Sequence, residues 1–401
     1  MPHDRPRYLG SLIAQALTHS PIVGILGQRQ VGKTTQLAAT CSAHVTFDRR
    51  HDLEQARADP ELFLDGRERP FGIDEAQLCP ELFPALKEWV RTHRTPGQFI
   101  LSGSVRFTSR AAIRESLTGR IVTLELLPFT AAESASLPLP QVCTQILNAS
   151  GERALTDLLA EHGKTRHKSA AAFSRYLECG GLPGICFFRD APVREQHFEA
   201  HLDTLLNRDL RQISATTLGY GPLKSLLAHL ARMQGRAFVA ADAARASQIS
   251  LVTLKKILFA LEGLFLIRTV PAVGERRPGI FLEDQGLASW LKGAALEDAD
   301  DLTRGLYANL RQEFHYRPQL RGRVFQWRTR GGAEVPLAFS SRLGTIGFVS
   351  TLSREPAPKT LGSASAFLKK FPGSKVVVAY GGDSIVARTA SMAWIPYWLL
   401  V

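Results

Sequence analysis

Gly27-Gln28-Arg29-Gln30-Val31-Gly32-Lys33-Thr34 restricts this chain more than any other stretch. The spacing GxxxxGK[ST] directly follows Pro21-Ile22-Val23-Gly24-Ile25-Leu26, a short apolar run bounded by Pro and Gly that reads as a buried parallel strand. Helix-forming residues then run from Lys33 to Ala39, so the motif falls on a strand–loop–helix turn. Each residue has a task in that setting. The glycines let the backbone wrap until its amide N–H groups converge on a phosphate, and a helix starting at Lys33 aims the positive end of its dipole at the same point. Lys33 reaches the terminal phosphate oxygens, and the Thr34 hydroxyl takes a place on Mg²⁺. Gly27, Gln28, Arg29, Gln30, Val31, Gly32, Lys33, Thr34 and the following Thr35 are therefore the candidate nucleotide-binding residues, with ATP and Mg²⁺ as the implied ligands.

Further apolar runs alternate with helical stretches: His44-Val45-Thr46-Phe47, Phe71-Gly72-Ile73, Phe99-Ile100-Leu101 and Ile121-Val122-Thr123-Leu124-Glu125-Leu126. Strands separated by helices predict a doubly wound α/β sheet. A phosphate loop needs an acidic group at the end of a neighbouring strand, and Asp74-Glu75 follows Phe71-Gly72-Ile73. Asp74 is expected in the outer shell of the Mg²⁺ that Thr34 binds, and Glu75 is expected to orient and polarise the attacking water. The pair can at the same time cap the helix beginning at Ala76, and Pro70 and Gly72 interrupt the strand before it. Ser104, after the Phe99 run, is the expected γ-phosphate sensor, with a plain turn as the other reading. Gly119-Arg120 precedes a strand, where Arg120 is expected either to reach a neighbouring subunit's γ-phosphate or to form an ordinary ion pair. The catalytic candidates are thus Lys33, Glu75, Ser104 and Arg120, and the metal candidates Thr34 and Asp74.

At 401 residues the chain is too long for one ordinary core, so several domains are expected. The net charge of +12 is mostly arginine, which fits phosphate-backbone contact with nucleic acid and fits an Arg-rich solvated surface just as well. The five cysteines include no CxxC pair and no zinc-finger spacing, so reduced structural thiols are expected. No apolar stretch reaches the roughly 18 residues of a membrane helix, and the first residues lack signal-peptide order. The expected setting is cytoplasmic, without a membrane partner.

The run Arg7-Tyr8-Leu9, Gly27–Thr35, Asp59-Pro60-Glu61-Leu62-Phe63-Leu64, Ile73-Asp74-Glu75-Ala76-Gln77, Leu101-Ser102-Gly103-Ser104, Glu115-Ser116-Leu117-Thr118-Gly119-Arg120 and Leu127-Pro128-Phe129 resembles the prokaryotic AAA-type P-loop ATPases that carry a C-terminal domain of unknown function. The likeness continues through Gly180-Gly181-Leu182-Pro183, Arg208-Asp209-Leu210 and Asp284-Gln285-Gly286-Leu287. It implies a P-loop ATPase domain over 1–130, a helical lid or linker over 131–220, a winged-helix-like region over 221–290 and a restriction-endonuclease-like α/β domain over 291–401.

Two of those implications can be read against the residues. In the middle, Phe238 to Ala246 reads as a helix, and Ser250 as the cap of a second helix from Leu251 to Glu262 with Lys255 and Lys256 on its polar face. Phe265–Val270 and Gly279–Leu282 then read as wing strands around Glu275-Arg276-Arg277. The helix offers few residues that read bases, so the expectation is DNA-backbone contact or an interdomain helical module. At the C-terminus, Pro336 stands where the nuclease fold needs Asp, and Thr345-Ile346-Gly347-Phe348-Val349-Ser350-Thr351 carries no acid and no Lys. Ala308-Asn309 replaces the usual Glu-Asn, and Glu334 alone cannot hold a divalent ion. A catalytically silent contact domain is expected. The whole reads as Mg²⁺-dependent ATP hydrolysis driving a switch of accessory domains. The alternative is a nucleotide-dependent DNA-binding protein with little turnover. A protein partner or self-association stays open.

Overall fold

A computed structural model describes residues 5–106, 117–154, 156–157, 166–274 and 277–401. Glu115 and Ser116 of the fifth-strand approach, the polar stretch Glu161–Lys164, and Glu275 and Arg276 of the expected wing tip lie outside the described residues. The chain divides into two compact units. The first comprises Met1–Pro128 with Arg208–Ala215 and Phe259–Leu266, and the second Phe129–Asn207, Thr216–Leu258 and Ile267–Val401.

In the first unit the order is α1 (Leu9–Leu17), β1 (Ile22–Leu26), α2 (Lys33–Thr40), β2 (Ala43–Thr46), α3 (Arg50–Ala58), α4 (Pro60–Leu64), β3 (Phe71–Asp74), α5 (Leu82–Thr92), β4 (Phe99–Gly103) and β5 (Ile121–Glu125). The five strands pair in parallel in the order β2-β3-β4-β1-β5. Strands β1, β3 and β4 are buried at every position, which is why they read as continuous apolar runs and not as alternation. The interruption of β3 by Gly72 has a steric cause. A Cβ at that position would lie 2.8 Å from Leu37 Cδ2 and 2.8 Å from His44 Cβ, so only glycine lets β3 run beneath α2. Phe47, Phe63, Phe71, Phe83 and Phe99 fill the core around this sheet. Because every strand is parallel, their carboxyl ends share one edge, and the residues just past Leu26, Asp74 and Gly103 are brought together there.

The second unit begins with α6 (Ala131–Ser134), α7 (Val142–Asn148), α8 (Arg166–Cys179) and α9 (Ala191–Thr204). Then come α10 (Tyr220–Met233), α11 (Ala240–Ser247) and α12 (Leu251–Gly263), whose last residues belong to the first unit. Ser250 Oγ accepts the Thr253 N–H at 3.3 Å, the expected cap of α12. After these come β6 (Ile267–Val270), β7 (Ala272–Val273), β8 (Gly279–Leu282), α13 (Gln285–Lys292) and α14 (Ala299–Tyr316). The chain ends with β9 (Gly322–Arg328), β10 (Glu334–Ser341), β11 (Gly344–Ser350), α15 (Pro358–Lys370), β12 (Lys375–Tyr380), β13 (Val386–Thr389) and β14 (Met392–Pro396). Strands β6 and β8 form an antiparallel pair, and the others a mixed sheet in the order β13-β14-β12-β11-β10-β9-β7. Pro336 sits where the β9–β10 register shifts between Val335 and Ala338, a bulge that suits a residue with no N–H to donate. Glu334 is half exposed and pairs with Arg328 at 3.7 Å. Asn309 anchors α14: its Oδ1 accepts the Ala131 N–H at 2.8 Å and its Nδ2 donates to Gly305 O at 2.8 Å.

Two buried carboxylates organise this unit by capping helices. Glu313 accepts the N–H groups of Cys143 at 3.1 Å and Thr144 at 3.0 Å, closing the first turn of α7 from a distant point in the chain. Asp284 caps α13 by accepting the Leu287 N–H at 2.7 Å, and its second oxygen takes the Gly181 N–H at 2.8 Å. Replacing Asp284 by Ala leaves both donors without that acceptor. We expect a loss of about 1–2 kcal/mol, readable as a midpoint lowered by several degrees in thermal unfolding. Burial pushes the Asp284 carboxyl up to about 6, against the pull of the backbone N–H groups it accepts. A carboxyl raised on folding contributes stability that is full below the ordinary carboxylate range and is lost as pH rises through about 6. The melting midpoint of the wild type minus that of Asp284→Asn should therefore fall between about pH 4 and about pH 7. A difference that grows over that range would contradict this sign.

Candidate functional site

The loop Gly27–Gly32 leaves β1 with the Gly27 N–H donating to Gly103 O at 3.3 Å. It turns through left-handed backbone at Gln30 (φ 62°) and Gly32 (φ 97°), and Gly32 then stands at the N-cap of α2. That turn sets the N–H groups of the first α2 residues, Lys33, Thr34 and Thr35, at the carboxyl edge of the sheet. Lys33 is 4% exposed. Its Nζ donates to Gly27 O at 3.1 Å and to Gln28 O at 3.0 Å, and lies 4.0 Å from a Glu75 oxygen. Burial lowers the Lys33 pKa, while the charges of Glu75 and Asp74 oppose the shift.

The acidic side of the site is a hydrogen-bonded chain. Thr34 Oγ1 donates to Asp74 Oδ2 at 2.7 Å, and Ser102 Oγ donates to Asp74 Oδ1. Ser102 Oγ also accepts the Glu75 N–H at 3.2 Å. Glu75 itself is in the left-handed region (φ 54°), a conformation that costs a non-glycine residue on the order of 1 kcal/mol. Its carboxylate accepts from Gln77 Nε2 and, at 2.9 Å, from Ser104 Oγ. Burial would raise the Glu75 pKa, but Lys33, the hydrogen bonds from Gln77 and Ser104, and Arg29 together hold it below the ordinary value. Glu75 is thus a fixed anion, better suited to orienting a water by accepting its hydrogen than to storing a proton.

Lys33, Thr34, Asp74, Glu75 and Ser104 therefore converge, with the Gly27–Gly32 backbone as their floor. Thr35 lies exposed on the first turn of α2. Ser104 faces Glu75 directly, so within this geometry it acts on the carboxylate. Arg120 is not brought to the group. Ile22 pairs with Ile121 and Leu26 with Glu125, so Arg120 precedes the amino end of β5 while the phosphate loop leaves the carboxyl end of β1. Four residue steps at roughly 3.3 Å each separate those edges. Arg120 Nη1 donates to Thr118 O at 3.3 Å, and the side chain lines an open cavity of about 350 Å³ with His19, Arg91 and Arg94.

Three participants are absent from the sequence reading of the site. Ser102 lies within the last residues of β4 and Ser104 just past it, and nothing in Leu101-Ser102-Gly103-Ser104 itself marks the first of the two. Strand β4 lies between β1 and β3, which places Ser102 against Asp74. Gln77 bridges Glu75 and Ser104, donating to Ser104 Oγ at 3.3 Å. Asp209, 4% exposed, lies with its Oδ2 3.7 Å from Arg29 Nη1.

The donor set suits Mg²⁺. A hydroxyl and a carboxylate oxygen 2.7 Å apart are hard ligands, and such an ion takes one or two protein oxygens and completes its shell with phosphate and water. Among the described residues no group of three or more His, Cys, Asp or Glu side chains could hold a metal ion on its own.

Residues 19–135 match the family described as AAA domain, a span that includes the phosphate loop, Asp74, Glu75, Ser104 and Arg120. Residues 170–298 match a domain of unknown function, DUF8612. Over 386 residues the chain is 26% identical to Uncharacterized protein Rv2008c of Mycobacterium tuberculosis, covering 92% of this chain and 79% of that protein. Uncharacterized protein Mb2031c of Mycobacterium bovis matches with the same identity and coverage. A solved structure of a signal transduction ATPase with numerous domains and a tetratricopeptide repeat sensor, from Pyrococcus horikoshii, superposes with a TM-score of 0.26 at 15% identity. It covers 79% of this chain and 49%, about half, of its own, and a superposition that loose assigns no element. The phosphate loop and the parallel sheet of the first unit thus lie in a stretch similar to an AAA domain. Among the described residues no helix is long and apolar enough to cross a membrane.

Ser102→Ala should leave the Glu75 N–H and an Asp74 oxygen without their partner in a buried site. A destabilisation of about 1–3 kcal/mol is expected, measured by urea unfolding of the purified chain. An unchanged midpoint and slope would mean that Ser102 does not hold the acidic pair.

Proposed function

We propose that the chain binds ATP at Gly27–Thr35 and hydrolyses it with Mg²⁺, and that the cycle switches the arrangement of its accessory regions. The observation that carries this reading is the buried Lys33 ammonium, satisfied by the carbonyls of its own loop and by Glu75, beside a Thr34–Asp74 pair. A lysine is held in so costly a place where a stronger anion is to be met.

In this reading loop N–H groups and Lys33 hold the β- and γ-phosphates. Thr34 and Asp74 hold Mg²⁺, which when bound neutralises charge on the phosphate oxygens. Glu75 accepts a hydrogen bond from the attacking water and aligns it with the γ-phosphorus, and Ser104 and Gln77 fix the carboxylate in that role. Arg120, at the far edge of the sheet, would serve the phosphate of a second copy, which makes self-association part of the proposal.

The same proposal covers the rest of the chain. The succession α10, α11, α12 and the β6–β8 pair supports a winged-helix-like region within 221–290. The mixed sheet from β7 to β14 supports a nuclease-like domain over 291–401, with Pro336 at a bulge where an acid would be needed. A second reading, nucleotide-dependent contact with the DNA backbone at little turnover, draws on the exposed Lys255 and Lys256 of α12 and on the +12 charge.

Two substitutions test the assignment. Lys33→Ala should abolish binding of a fluorescent ATP analogue. Glu75→Gln should still bind it within a few-fold of wild type but lower phosphate release by about 10²-fold or more. Normal hydrolysis by Glu75→Gln would remove Glu75 from its role. Phosphate release from neither protein, with binding intact in the wild type, would favour the second reading.

A further inference from the structure

One buried charge lies beside the phosphate loop without a task in the scheme above. The segment Arg208–Ala215 belongs to the first unit although the chain around it does not. It enters through a π-helical turn, Leu205–Asp209, a geometry recurrent at functional sites. At the end of that turn Asp209 is 4% exposed, and its Oδ2 accepts no hydrogen bond among the described residues. Its nearest cation is Arg29, the third residue of the phosphate loop, at 3.7 Å. Arg208 steadies the same turn by facing Asp48 at 3.6 Å. Asp209 is close enough for its charge to act on Lys33, and Glu75 and Lys33 act on Asp209 in return.

We infer that the Arg29–Asp209 pair is a latch that distinguishes triphosphate from diphosphate, an inference that rests on the ATP-binding reading. The physical case is a conflict of charge. A buried carboxylate with an unsatisfied oxygen and only loose ion pairs, to Arg29 at 3.7 Å and to the half-exposed Arg208 at 3.8 Å, is poorly held once Arg29 leaves it. The loop around Arg29 gathers donors for a polyanion. A γ-phosphate arriving beside Lys33 offers Arg29 a more highly charged partner with three acceptor oxygens. When Arg29 turns to it, Asp209 keeps only the half-exposed Arg208 as a cation and faces another anion, and the Arg208–Ala215 segment is driven off its seat. A diphosphate brings no γ-oxygens, so the pair persists. Asp209 is thus a positioning residue: it competes with the γ-phosphate for Arg29 and reports the outcome to its own segment.

The test is equilibrium binding of fluorescent ADP and of a fluorescent non-hydrolysable ATP analogue, each with Mg²⁺, to the full chain. Wild type, Asp209→Asn, Asp209→Glu, Arg29→Gln and the Asp209→Asn/Arg29→Gln double variant are compared. Asp209→Asn should bind the triphosphate analogue about 5-fold or more tighter while its ADP affinity stays within about 2-fold, because only the triphosphate has to win Arg29 from the carboxylate. In the Arg29→Gln background, Asp209→Asn should no longer change the ratio of the two affinities. Asp209→Glu should keep a ratio near wild type. An equal change for both nucleotides, or the same ratio change with and without Arg29, would overturn the latch and leave Asp209 with a general electrostatic or structural part. If Asp209→Asn fails to fold, Arg29→Gln alone decides. It should weaken the triphosphate selectively, and equal weakening of both nucleotides overturns the inference. Binding of neither nucleotide by the wild type would overturn the ATP reading itself, and the latch with it.

Discussion

The candidate site is organised around one buried ammonium. Lys33 has almost no access to water, so its charge must be met by protein, and the protein meets it with two carbonyls of its own loop and with Glu75. Each of those partners is constrained in turn. The carbonyls of Gly27 and Gln28 face the ammonium only because the loop turns back through left-handed backbone before α2. Glu75 faces it only because its own backbone is held in the left-handed region, with Ser102 on its N–H and Gln77 and Ser104 on its carboxylate. A lone carboxylate or a lone lysine at this depth would neutralise itself by shifting its pKa. Together each offsets part of the other's burial cost, and the strain at Glu75 is offset by the ion pair and hydrogen bonds that it permits.

Sheet topology decides which residues can take part. A parallel sheet sends the carboxyl ends of all its strands to one edge, so a polar residue at or just past such an end is a candidate and a residue before the amino end is not. This separates Asp74, Glu75, Ser102 and Ser104 from Arg120. Strand order then refines the set. Between β1, which carries the phosphate loop, and β3, which carries the acids, runs β4. Its Ser102 is the residue placed to bind Asp74 and the Glu75 N–H at once, while Ser104, past the strand end, reaches the Glu75 carboxylate.

How much of this could be read from the sequence follows from the distance over which each feature is encoded. The phosphate loop was legible because its strand, glycines, lysine and helix are adjacent along the chain, and the convergence of Lys33, Thr34, Asp74 and Glu75 follows from that motif and one further strand. Gly72 looked like a defect in a strand because the reason for it, the close approach of Leu37 and His44, is a contact across the fold. Ser102 was missed because its role depends on strand order, which hydrophobic pattern does not give. Asp209 was visible only as part of a family likeness. Nothing local to Arg208-Asp209-Leu210 says that the turn returns to the first unit, where Asp209 meets Arg29.

The second unit shows why a buried carboxylate is not by itself a sign of chemistry. Asp284 and Glu313 are as secluded as Asp74, and burial raises both, yet each is surrounded by backbone N–H groups at the start of a helix. Their geometry is saturated: the acceptor oxygens point at donors that would otherwise be orphaned, and the arrangement gains nothing from a further ligand. Glu75 and Asp209 differ in kind. Their strongest neighbours are side-chain cations, one of them a lysine folded onto its own loop and the other an arginine of that loop held at ion-pair distance. Cations paired in that way can be claimed by a stronger anion, whereas a capped helix cannot exchange its cap without fraying. That difference between exchangeable and saturated partners, more than burial or charge alone, separates the residues able to respond to a nucleotide from those that hold the fold.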